Sequence, residues 1–538
     1  MSTGTRDVRD DVAASAISEN PNHERRWLVL CIVALAQLTV VLDGTIVSIA
    51  LPDAQVELGI SDSDRQWVVT AYALAFGALL LLGGRVADYW GRKRSFMVGM
   101  AGFAIASAIG GFAQNGMQLF TARALQGVFA ALLAPAALAI LTTTFIGEKE
   151  RAKAFAVFGA ISGGGAAIGL LLGGFLTQYV DWRWCLLVNI PVAIFAIAVT
   201  APIVRETKAH GDTSYDIPGT VLIAIGLGSL VYGFTQAEKH GWASTQTVGF
   251  IGLGLLALAA FVLVEKRSKN PLLPLSVPWH RDRGAAFIGS MLVGSALLGG
   301  TLYLTFYLQI VLGFSPVAAG FGSLPMAIFI VMAAGISANL STKIGPKPLM
   351  IAGPLIAAIG LTLLTQIGVE TSYWTHVFPG LATFGFGLGL LMVPMQNLSL
   401  IGVKDHDAGA ASALANATIQ IGGALGTALF TTIYVSAKSA WSAANAAPTA
   451  PTGVPASAIP ADLATAVPPT AEELAALPAP VQEFIGSLKE YAFTAEVSGY
   501  AHVFGWAAAL IAVITPLVVV LVRAKKGDLP DEAPVGMH

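Results

Sequence analysis

The chain has 538 residues, of which 55% are hydrophobic and only 12% are charged. Soluble globular proteins carry roughly 25% charged residues, so this much apolar surface cannot all be buried in a water-soluble core, and a bilayer must solvate part of it. The net charge of −2 gives no indication of a nucleic-acid partner. The two cysteines, Cys31 and Cys185, lie in apolar stretches without the spacing of a metal site or a disulfide framework, which favours two buried thiols.

Fourteen segments of the sequence are long and apolar enough to cross a membrane as helices, which takes about 20 residues each. Inside lipid only helices and closed barrels satisfy the hydrogen bonds of the backbone, and these runs are too long and too uniformly apolar for barrel strands. We therefore predict an all-α polytopic membrane protein. The predicted spans are 27–50, 65–86, 95–113, 118–143, 154–179, 184–204, 217–236, 246–264, 285–312, 317–340, 348–368, 375–400, 409–436 and 501–523.

The distribution of positive charge predicts how the spans are oriented. When the N-terminus is placed in the cytoplasm, most of the 30 lysines and arginines fall into the cytoplasmic connecting segments. Such an excess is typical of the cytoplasmic side of a membrane. We therefore expect both termini to be cytoplasmic, which requires an even number of spans. The high Ala and Gly content favours a bacterial source, and hence the cytoplasmic cell membrane.

The polar segments outside the spans are predicted to be disordered. Residues 1–26 are expected to be a cytoplasmic tail rather than a cleaved signal peptide, because the first apolar segment is long and leads into many more. Residues 524–538 form a second cytoplasmic tail. Residues 438–500 are rich in Ala, Pro, Thr and Glu, and several prolines there prevent a long helix. We predict a mostly disordered extracytoplasmic loop with a short helix around 471–490.

A weak internal repeat predicts how the spans are grouped. The sequence Gly-Arg-Lys at 91–93 follows the second span, and Gly-Pro-Lys at 345–347 follows the tenth. The two loops occupy equivalent places if the seventh and eighth spans are an insertion, and repeated halves are common in secondary transporters. The predicted units are a six-helix bundle at 27–204, two inserted helices with linkers at 205–283, and a second six-helix bundle at 284–523.

The segment between the second and third spans combines glycines, one carboxylate and four cations. Glycines let two helix ends turn sharply and approach each other closely. A partly buried carboxylate there could pair with a neighbouring helix end and release it as the halves of the protein rock. Simple anchoring by a basic cytoplasmic loop is the alternative, and the sequence leaves both open. The residues of this candidate conformational gate are Gly84, Asp88, Gly91, Arg92, Lys93 and Arg94.

Two opposite charges lie inside predicted spans, where charged groups are costly and usually functional. Asp43 lies about two-thirds along the first span and Arg123 early in the fourth, so both fall in the outer half of the membrane. Desolvation favours a protonated carboxyl group, so Asp43 could take up and release a proton near neutral pH. We expect Asp43 and Arg123 to be coupled, with Gln126 extending the network. Two alternatives stay open: Asp43 lies near the outer interface and merely bonds neighbouring backbone, or Arg123 makes a permanent structural ion pair or carbonyl contact.

The fifth span carries a row of glycines, and small residues at a spacing of four let helices pack backbone to backbone. Close packing is therefore expected on that face. The glycines are Gly165, Gly169, Gly173 and Gly174.

Spans of the second half contain polar and aromatic rather than charged residues. A mainly apolar pocket with a few polar groups suits amphiphilic ligands, although each of these residues can also be a simple helix contact. The candidates for a substrate cavity are Gln126 in the first half and Tyr303, Tyr307, Gln309, Gln396, Asn397, Asn416 and Gln420 in the second.

These segments resemble the major facilitator superfamily, and in particular its fourteen-span drug:proton antiporter branch. The loop at 84–94 is similar to the family signature between the second and third spans. Residues 42–52 are similar to the branch's first-span motif, with Ser48 where Asn is usual, and residues 123–127 match the fourth-span motif.

The resemblance continues in the fifth and sixth spans and covers nearly the whole chain. Residues 165–174 resemble the fifth-span antiporter motif, with Leu170 in place of the usual proline, which removes the expected source of a kink. Residues 182–184 and 188–191 also look like this branch.

The resemblance implies the major facilitator fold, with two six-helix bundles plus two inserted helices, and alternating access. It implies export of small lipophilic or amphiphilic compounds, such as drugs or antibiotics, in exchange for protons. It also implies a role in proton transfer for Arg123, and glycine packing between the halves that limits leak. The expected partners are a small-molecule substrate, protons and the lipid bilayer, without nucleic acid, metal or cofactor. The expected functional unit is a monomer.

Other functions of a polytopic helical chain are less well supported by the sequence. An importer of a metabolite or lipid with the same fold stays open, although the glycine-rich fifth span favours export. A membrane-embedded enzyme would need clustered His, Asp or Glu residues, and the eight histidines are scattered. A channel would need a selectivity filter, and direct use of ATP a phosphate-binding loop, and neither pattern is present. We therefore predict a secondary transporter rather than an enzyme.

Overall fold

The computed structural model describes residues 23–145, 147–208, 215–268, 270–404, 407–449 and 477–524. All regular secondary structure in these residues is helical, and 14 of the helices are long and apolar enough to cross a membrane. This result confirms the predicted all-α polytopic class and the number of spans.

The spanning helices are numbered α1 to α14 in chain order. Helix α6 consists of two pieces that meet at Val188, α9 runs on into a π-helical turn at Tyr307–Val311, and α12 follows a π-helical turn at Tyr373–Val377. The bounds are α1 Arg26–Glu57, α2 Trp67–Trp90, α3 Arg92–Gly111, α4 Gly116–Thr144, α5 Glu148–Tyr179, α6 Trp184–Leu187 with Asn189–Ile203, α7 Ile217–His240, α8 Thr245–Arg267, α9 Arg281–Phe306, α10 Pro316–Ile344, α11 Pro346–Leu364, α12 Phe378–Ser399, α13 Ala408–Ala444 and α14 Ala479–Leu521.

The helices form two bundles of six. Helices α1–α6 pack mainly on one another, and so do α9–α14. Two helix pairs join the bundles along their length, α2 with α13 and α5 with α10. Helices α7 and α8 form a hairpin, of which α7 packs on α2 and α13 and so covers the first of these two seams. The predicted insertion of two helices between two six-helix bundles matches this arrangement.

The turns that follow α2 and α10 have the same construction. Each turn is a single glycine with a positive φ, 129° at Gly91 and 84° at Gly345, and the next helix begins at the following residue. A side chain at such a φ would be strained, so glycine is required for so short a turn. The equivalence of the two loops, read from the sequence repeat, therefore extends to their backbone geometry. We call the end of the bundles that carries residues 84–94 the basic face, and the other end the opposite face.

The last two helices are longer than the sequence predicted. The predicted loop at 438–500 is helical at both of its described ends, because α13 continues to Ala444 and α14 begins at Ala479. These extensions are held together by polar contacts such as Lys438 to Glu496, 2.5 Å, which a search for apolar runs does not detect. Residues 450–476, most of the predicted loop, and residues 1–22 and 525–538 of the predicted tails lie outside the described residues.

Close packing of α2 on α4 depends on a glycine, which generates a test of the fold. A Cβ atom built on Gly83 would lie 1.9 Å from the carbonyl oxygen of Ala131, so Gly83→Ala must push the two helices apart. Overpacking of this kind costs about 1–3 kcal/mol, and we expect a lower unfolding temperature for the purified protein in detergent. Gly228→Ala in α7 is the control, because a Cβ there meets no atom within 4 Å. Equal unfolding temperatures for both variants would contradict the packing of α2 on α4.

Candidate functional site

Asp43 and Arg123, the two charges predicted inside spans, are in direct contact. Asp43 of α1 is fully buried, and Nη1 of Arg123 in α4 lies 2.5 Å from its Oδ2 atom. The Nε atom of Arg123 donates to the carbonyl oxygen of Val68, 2.9 Å away. The guanidinium also lies over the ring of Tyr72, with its carbon 4.6 Å from the ring centroid. The pair is therefore enclosed by α1, α2 and α4.

Neutral polar side chains complete this network. Gln126 accepts a hydrogen bond from Nη1 of Arg123, 2.8 Å, and donates to Oδ1 of Asp43, 2.9 Å. Asn189 of α6 also donates to Oδ1 of Asp43, 3.0 Å. The hydroxyl of Ser107 in α3 accepts from both amides, at 2.8 Å from Gln126 and 3.3 Å from Asn189. The predicted involvement of Gln126 matches this geometry. Asn189 lies in the segment 188–191 that resembles the antiporter branch but was not predicted as a site residue, and nothing in the sequence pointed to Ser107.

The hydrogen-bond network around the Asp43 carboxylate involves five helices, α1, α2, α3, α4 and α6. Its carboxylate accepts hydrogen bonds from donors on α4 and α6, and these donors in turn contact α2 and α3. Breaking a buried ion pair by removing one partner is strongly destabilising, because it leaves the other charge uncompensated. A proton on Asp43 would cancel its charge and leave Arg123 without an ionic partner. The arrangement therefore links the charge state of Asp43 to the packing of the helices around it.

The start of α3 is capped by a carboxylate that the sequence analysis missed. Glu206, which follows α6, accepts hydrogen bonds from the backbone N–H groups of Lys93, 3.0 Å, and Arg94, 3.1 Å. A negative charge is favourable there because the first N–H groups of a helix have no partner within the helix. A Cβ atom on Gly91 would lie 2.6 Å from this carboxylate, so the glycine is needed for the approach as well as for the turn. Since Glu206 is more than 100 residues away in sequence, no local pattern predicts it.

The remaining predicted gate residues hold the same region together. Asp88 pairs with Arg92, 3.1 Å, across the turn. The Nζ atom of Lys93 donates to the carbonyl oxygen of Ala201, 2.6 Å. These two contacts lie within the first bundle, whereas Glu206 belongs to the segment that follows α6. Gly84 faces Pro135 of α4, which is 3.7 Å from a Cβ atom built on it.

One cation of this segment reaches the linker between the bundles. The Nη2 atom of Arg85 donates to the carbonyl oxygen of Pro271, 2.8 Å. The same linker is held by Arg283 of α9, which donates to the carbonyl oxygens of Ser276, 2.7 Å, and Val277, 2.9 Å. The linker between α8 and α9 thus joins residues 84–94 to the second bundle, because its backbone carbonyls accept hydrogen bonds from both sides.

The glycines of α5 serve two different contacts. Those at a spacing of four face α1: a Cβ on Gly165 would lie 3.2 Å from Leu38 and Val41, and Gly169 and Gly173 also lie against this helix. Gly174 faces the second bundle, where its Cβ would lie 2.6 Å from the carbonyl oxygen of Pro316 in α10. Gly174 directly follows Gly173, and successive residues of a helix point in directions about 100° apart. Gly173 therefore faces α1, whereas Gly174 faces α10. Of the four predicted glycines, only Gly174 therefore packs between the halves.

The predicted aromatic cavity residues are enclosed rather than open. Tyr303 and Tyr307 are fully buried, and their hydroxyls donate to the hydroxyl of Thr431, 2.7 Å, and the carbonyl oxygen of Gly368, 2.9 Å. Gln309 donates to the carbonyl oxygen of Ile49, 2.9 Å, and so joins α1 to the second bundle. These residues contribute helix contacts in this conformation.

The other predicted cavity residues remain partly accessible. They lie on α12 and α13, and Gln420 of α13 packs against Gly77 of α2 at the seam between the bundles. The half-buried members are Gln396, Asn397, Asn416 and Gln420. A substrate contact by these side chains remains a prediction.

The cap on α3 gives a testable prediction. Glu206→Ala removes the acceptor of two helix N–H groups, and loss of a helix cap costs about 0.5–2 kcal/mol. We expect the purified variant to unfold at a lower temperature than the unaltered protein. Glu370→Ala, which removes an exposed carboxylate between α11 and α12, is the matched control and should leave unfolding unchanged. An unaltered unfolding temperature for Glu206→Ala would show that the cap contributes nothing.

Comparisons with known proteins agree with this geometry. Residues 33–427 match the Major Facilitator Superfamily. The chain is 49% identical over 430 residues to the puromycin resistance protein of Streptomyces alboniger, which covers 79% of this chain and 85% of that protein. It is 32% identical over 551 residues to the tetracenomycin C resistance and export protein of Streptomyces glaucescens, which covers 99% of this chain and 98% of that protein.

A similar fold occurs in solved structures. One is a bacterial homolog of the human lysosomal transporter Spinster in an inward-facing, unoccupied conformation, with a TM-score of 0.59 over 92% of this chain and 98% of that chain. At 16% identity this likeness concerns the fold alone. The matched residues, the relatives that align along most of the chain and the two-bundle fold lead to one conclusion: the chain belongs to the Major Facilitator Superfamily.

Proposed function

We propose that this protein exports small amphiphilic compounds of the antibiotic type across a bacterial cell membrane in exchange for protons. The export of antibiotics is supported by the relatives, which are named for puromycin resistance and for tetracenomycin C resistance and export. The exchange for protons is supported by one observation above all, the fully buried carboxylate of Asp43 in contact with Arg123. No nucleotide is needed in this scheme, because the proton gradient supplies the free energy.

In the proposed cycle, Asp43 alternates between an ionised and a protonated form. When ionised, it holds Arg123, Gln126 and Asn189, and thereby α1, α4 and α6 together. A proton entering from outside neutralises it, weakens these contacts and favours a different arrangement of the first bundle. Binding of substrate favours the return of the charge and release of the proton. Coupling requires that proton and substrate stabilise different conformations, since a ligand shifts an equilibrium only by its differential affinity.

We further propose that the basic face is cytoplasmic, with both termini on that side. The excess of lysine and arginine there supports this orientation. Arg123 lies in the second turn of α4 and its partner Val68 at the start of α2, so the network lies nearer the opposite face. That face would then be the outer one, and protons from outside would have the shorter path to Asp43. We also propose that one chain suffices, because both bundles and the whole network come from a single chain.

An importer with the same fold is the second candidate. The network around Asp43 serves import as well as export, since symport needs a proton site too. The names of the relatives favour export. Transport measured in membrane vesicles of known sidedness distinguishes export from import.

Asp43→Asn tests the proton exchange. The variant keeps the size of the side chain but cannot ionise, so we expect accumulation of puromycin by everted membrane vesicles under a proton gradient to fall at least about tenfold, which corresponds to 1.4 kcal/mol. Asp53→Asn, which alters an exposed carboxylate on the same helix, is the matched control and should transport normally. A panel of lipophilic dyes covers the case in which puromycin is not a substrate.

The outcomes separate the parts of the proposal. Gradient-driven transport by Asp43→Asn at the rate of the unaltered protein would remove Asp43 from the mechanism. Retained exchange of labelled for unlabelled substrate without a gradient, together with lost accumulation, would place the defect in proton coupling rather than in substrate binding. Accumulation by right-side-out vesicles instead of everted ones would favour the importer.

A further inference from the structure

The turn between α1 and α2 contains an arginine that is almost completely buried, at 1% exposure. Arg65 lies at the opposite face, in the first bundle. Its guanidinium carbon is 3.8 Å from the centroid of the Phe306 ring, 4.7 Å from that of Tyr434 and 5.5 Å from that of Tyr303. These three rings belong to α9 and α13 of the second bundle. A cation of one bundle is therefore held in an aromatic box of the other.

The rings are the main partners of this cation. Its Nη1 atom lies 3.4 Å from Oδ1 of Asp62, whereas its Nε and Nη2 atoms are buried and have no hydrogen-bond partner among the residues that the structure describes. A cation is attracted to the face of an aromatic ring, and more strongly so when it is desolvated. Removing an arginine from water opposes this attraction. The attraction of the rings and the cost of desolvation therefore oppose each other in the closed contact.

Ion pairs extend the contact on the same face. Asp62 also pairs with Lys438 of α13, 2.8 Å, and Lys438 pairs with Glu496 of α14, 2.5 Å. The hydroxyl of Tyr434 donates to the other oxygen of Glu496, 2.6 Å. Burial raises the pKa of Asp62, but the positive charges of Arg65 and Lys438 more than offset this effect and hold the pKa below its usual value. Four charges of alternating sign thus run from the first bundle into the second, in the order Arg65, Asp62, Lys438 and Glu496.

Other contacts close this face as well. The Val317 N–H at the start of α10 donates to the side-chain oxygen of Gln178 in α5, 3.2 Å. The contacts of Gly174 with Pro316 and of Gln309 with Ile49 join the same two bundles nearby. The Arg65 contact differs from these because it encloses a charge, which would return to water if the bundles separated.

We propose that Arg65 and the rings of Tyr303, Phe306 and Tyr434 form an aromatic clamp that closes the opposite face in one conformation of the transport cycle and opens in another. When the clamp opens, Arg65, Asp62, Lys438 and Glu496 regain water, which lowers the free energy of the open state. Loss of a ring removes the attraction without removing the buried charge. The inference depends on alternating access in this fold and not on the identity of the substrate or on proton coupling.

Distances between spin labels test the clamp directly. Val56→Cys in α1 and Glu370→Cys between α11 and α12 place labels at exposed positions on the opposite face of each bundle, with Cys31→Ala and Cys185→Ala as the background. Pulsed electron resonance on the labelled protein in lipid nanodiscs then gives the proportions of closed and open molecules. Neither substrate nor a proton gradient is needed, so the result does not depend on the proposed function.

Phe306→Leu is the decisive variant, because it keeps an apolar side chain but removes the ring nearest to the cation. We expect the ratio of open to closed molecules to rise about tenfold or more. Phe430→Leu is the matched control, since Phe430 is a buried phenylalanine of the same bundle that packs against Gly299, and it should leave the ratio unchanged. Distances are compared only for variants that elute as folded protein.

A double variant distinguishes a cation–ring contact from simple packing. If the ring acts through Arg65, then Phe306→Leu should have little further effect once Arg65→Gln has removed the cation. An unchanged ratio of open to closed molecules in both Phe306→Leu and Arg65→Gln would overturn the clamp. Equal effects of Phe306→Leu with and without the cation would overturn it too, because the ring would then act by packing alone.

Discussion

A charge among apolar helices needs a partner, and this requirement organises the polar interior of the protein. Asp43 and Arg123 meet across α1 and α4, where amide and hydroxyl groups supply the remaining hydrogen bonds. Arg65 at the opposite face satisfies the same requirement with aromatic rings from the second bundle. The first solution lies within one bundle, and the second lies between bundles. A change in the charge of the buried pair would alter packing within the first bundle, whereas separation of the rings from Arg65 would alter the relation of the two bundles.

At the basic face, charged side chains bind backbone N–H and carbonyl groups at helix ends and in a linker. Gly91 forms the turn between α2 and α3 and, because it has no side chain, leaves room for the carboxylate of Glu206 to cap α3. Arg85 and Arg283 both bind backbone carbonyls of the linker that follows α8. The inserted hairpin α7–α8 thus ends in a linker that contacts both bundles. Because both bundles bind this linker, a movement of either bundle at this face would displace the linker and the hairpin α7–α8 attached to it.

Local patterns predicted much of this protein, and long-range contacts account for what they missed. Apolar runs predicted fourteen spans because each crosses a bilayer of fixed thickness, and intramembrane charges singled out Asp43 and Arg123. The same approach missed Ser107, Glu206 and the aromatic rings around Arg65. The partners that a residue has on other helices leave no local signal in one sequence. The approach also ended α13 too early and began α14 too late, since the extensions of both helices are held by ion pairs such as Lys438 with Glu496. The four glycines of α5 were predicted as one face, but Gly174 turns to the other bundle.

The central claim is that substrate and proton compete through the buried carboxylate of Asp43. The most direct test is to count the protons released when the purified protein binds puromycin, or a dye that it transports, in a weakly buffered solution. The account predicts release of about one proton per bound molecule from the unaltered protein, and binding without release by Asp43→Asn, because linkage requires that each ligand disfavour the other. Binding by the unaltered protein with no release over the whole range of pH at which it is folded would contradict the account.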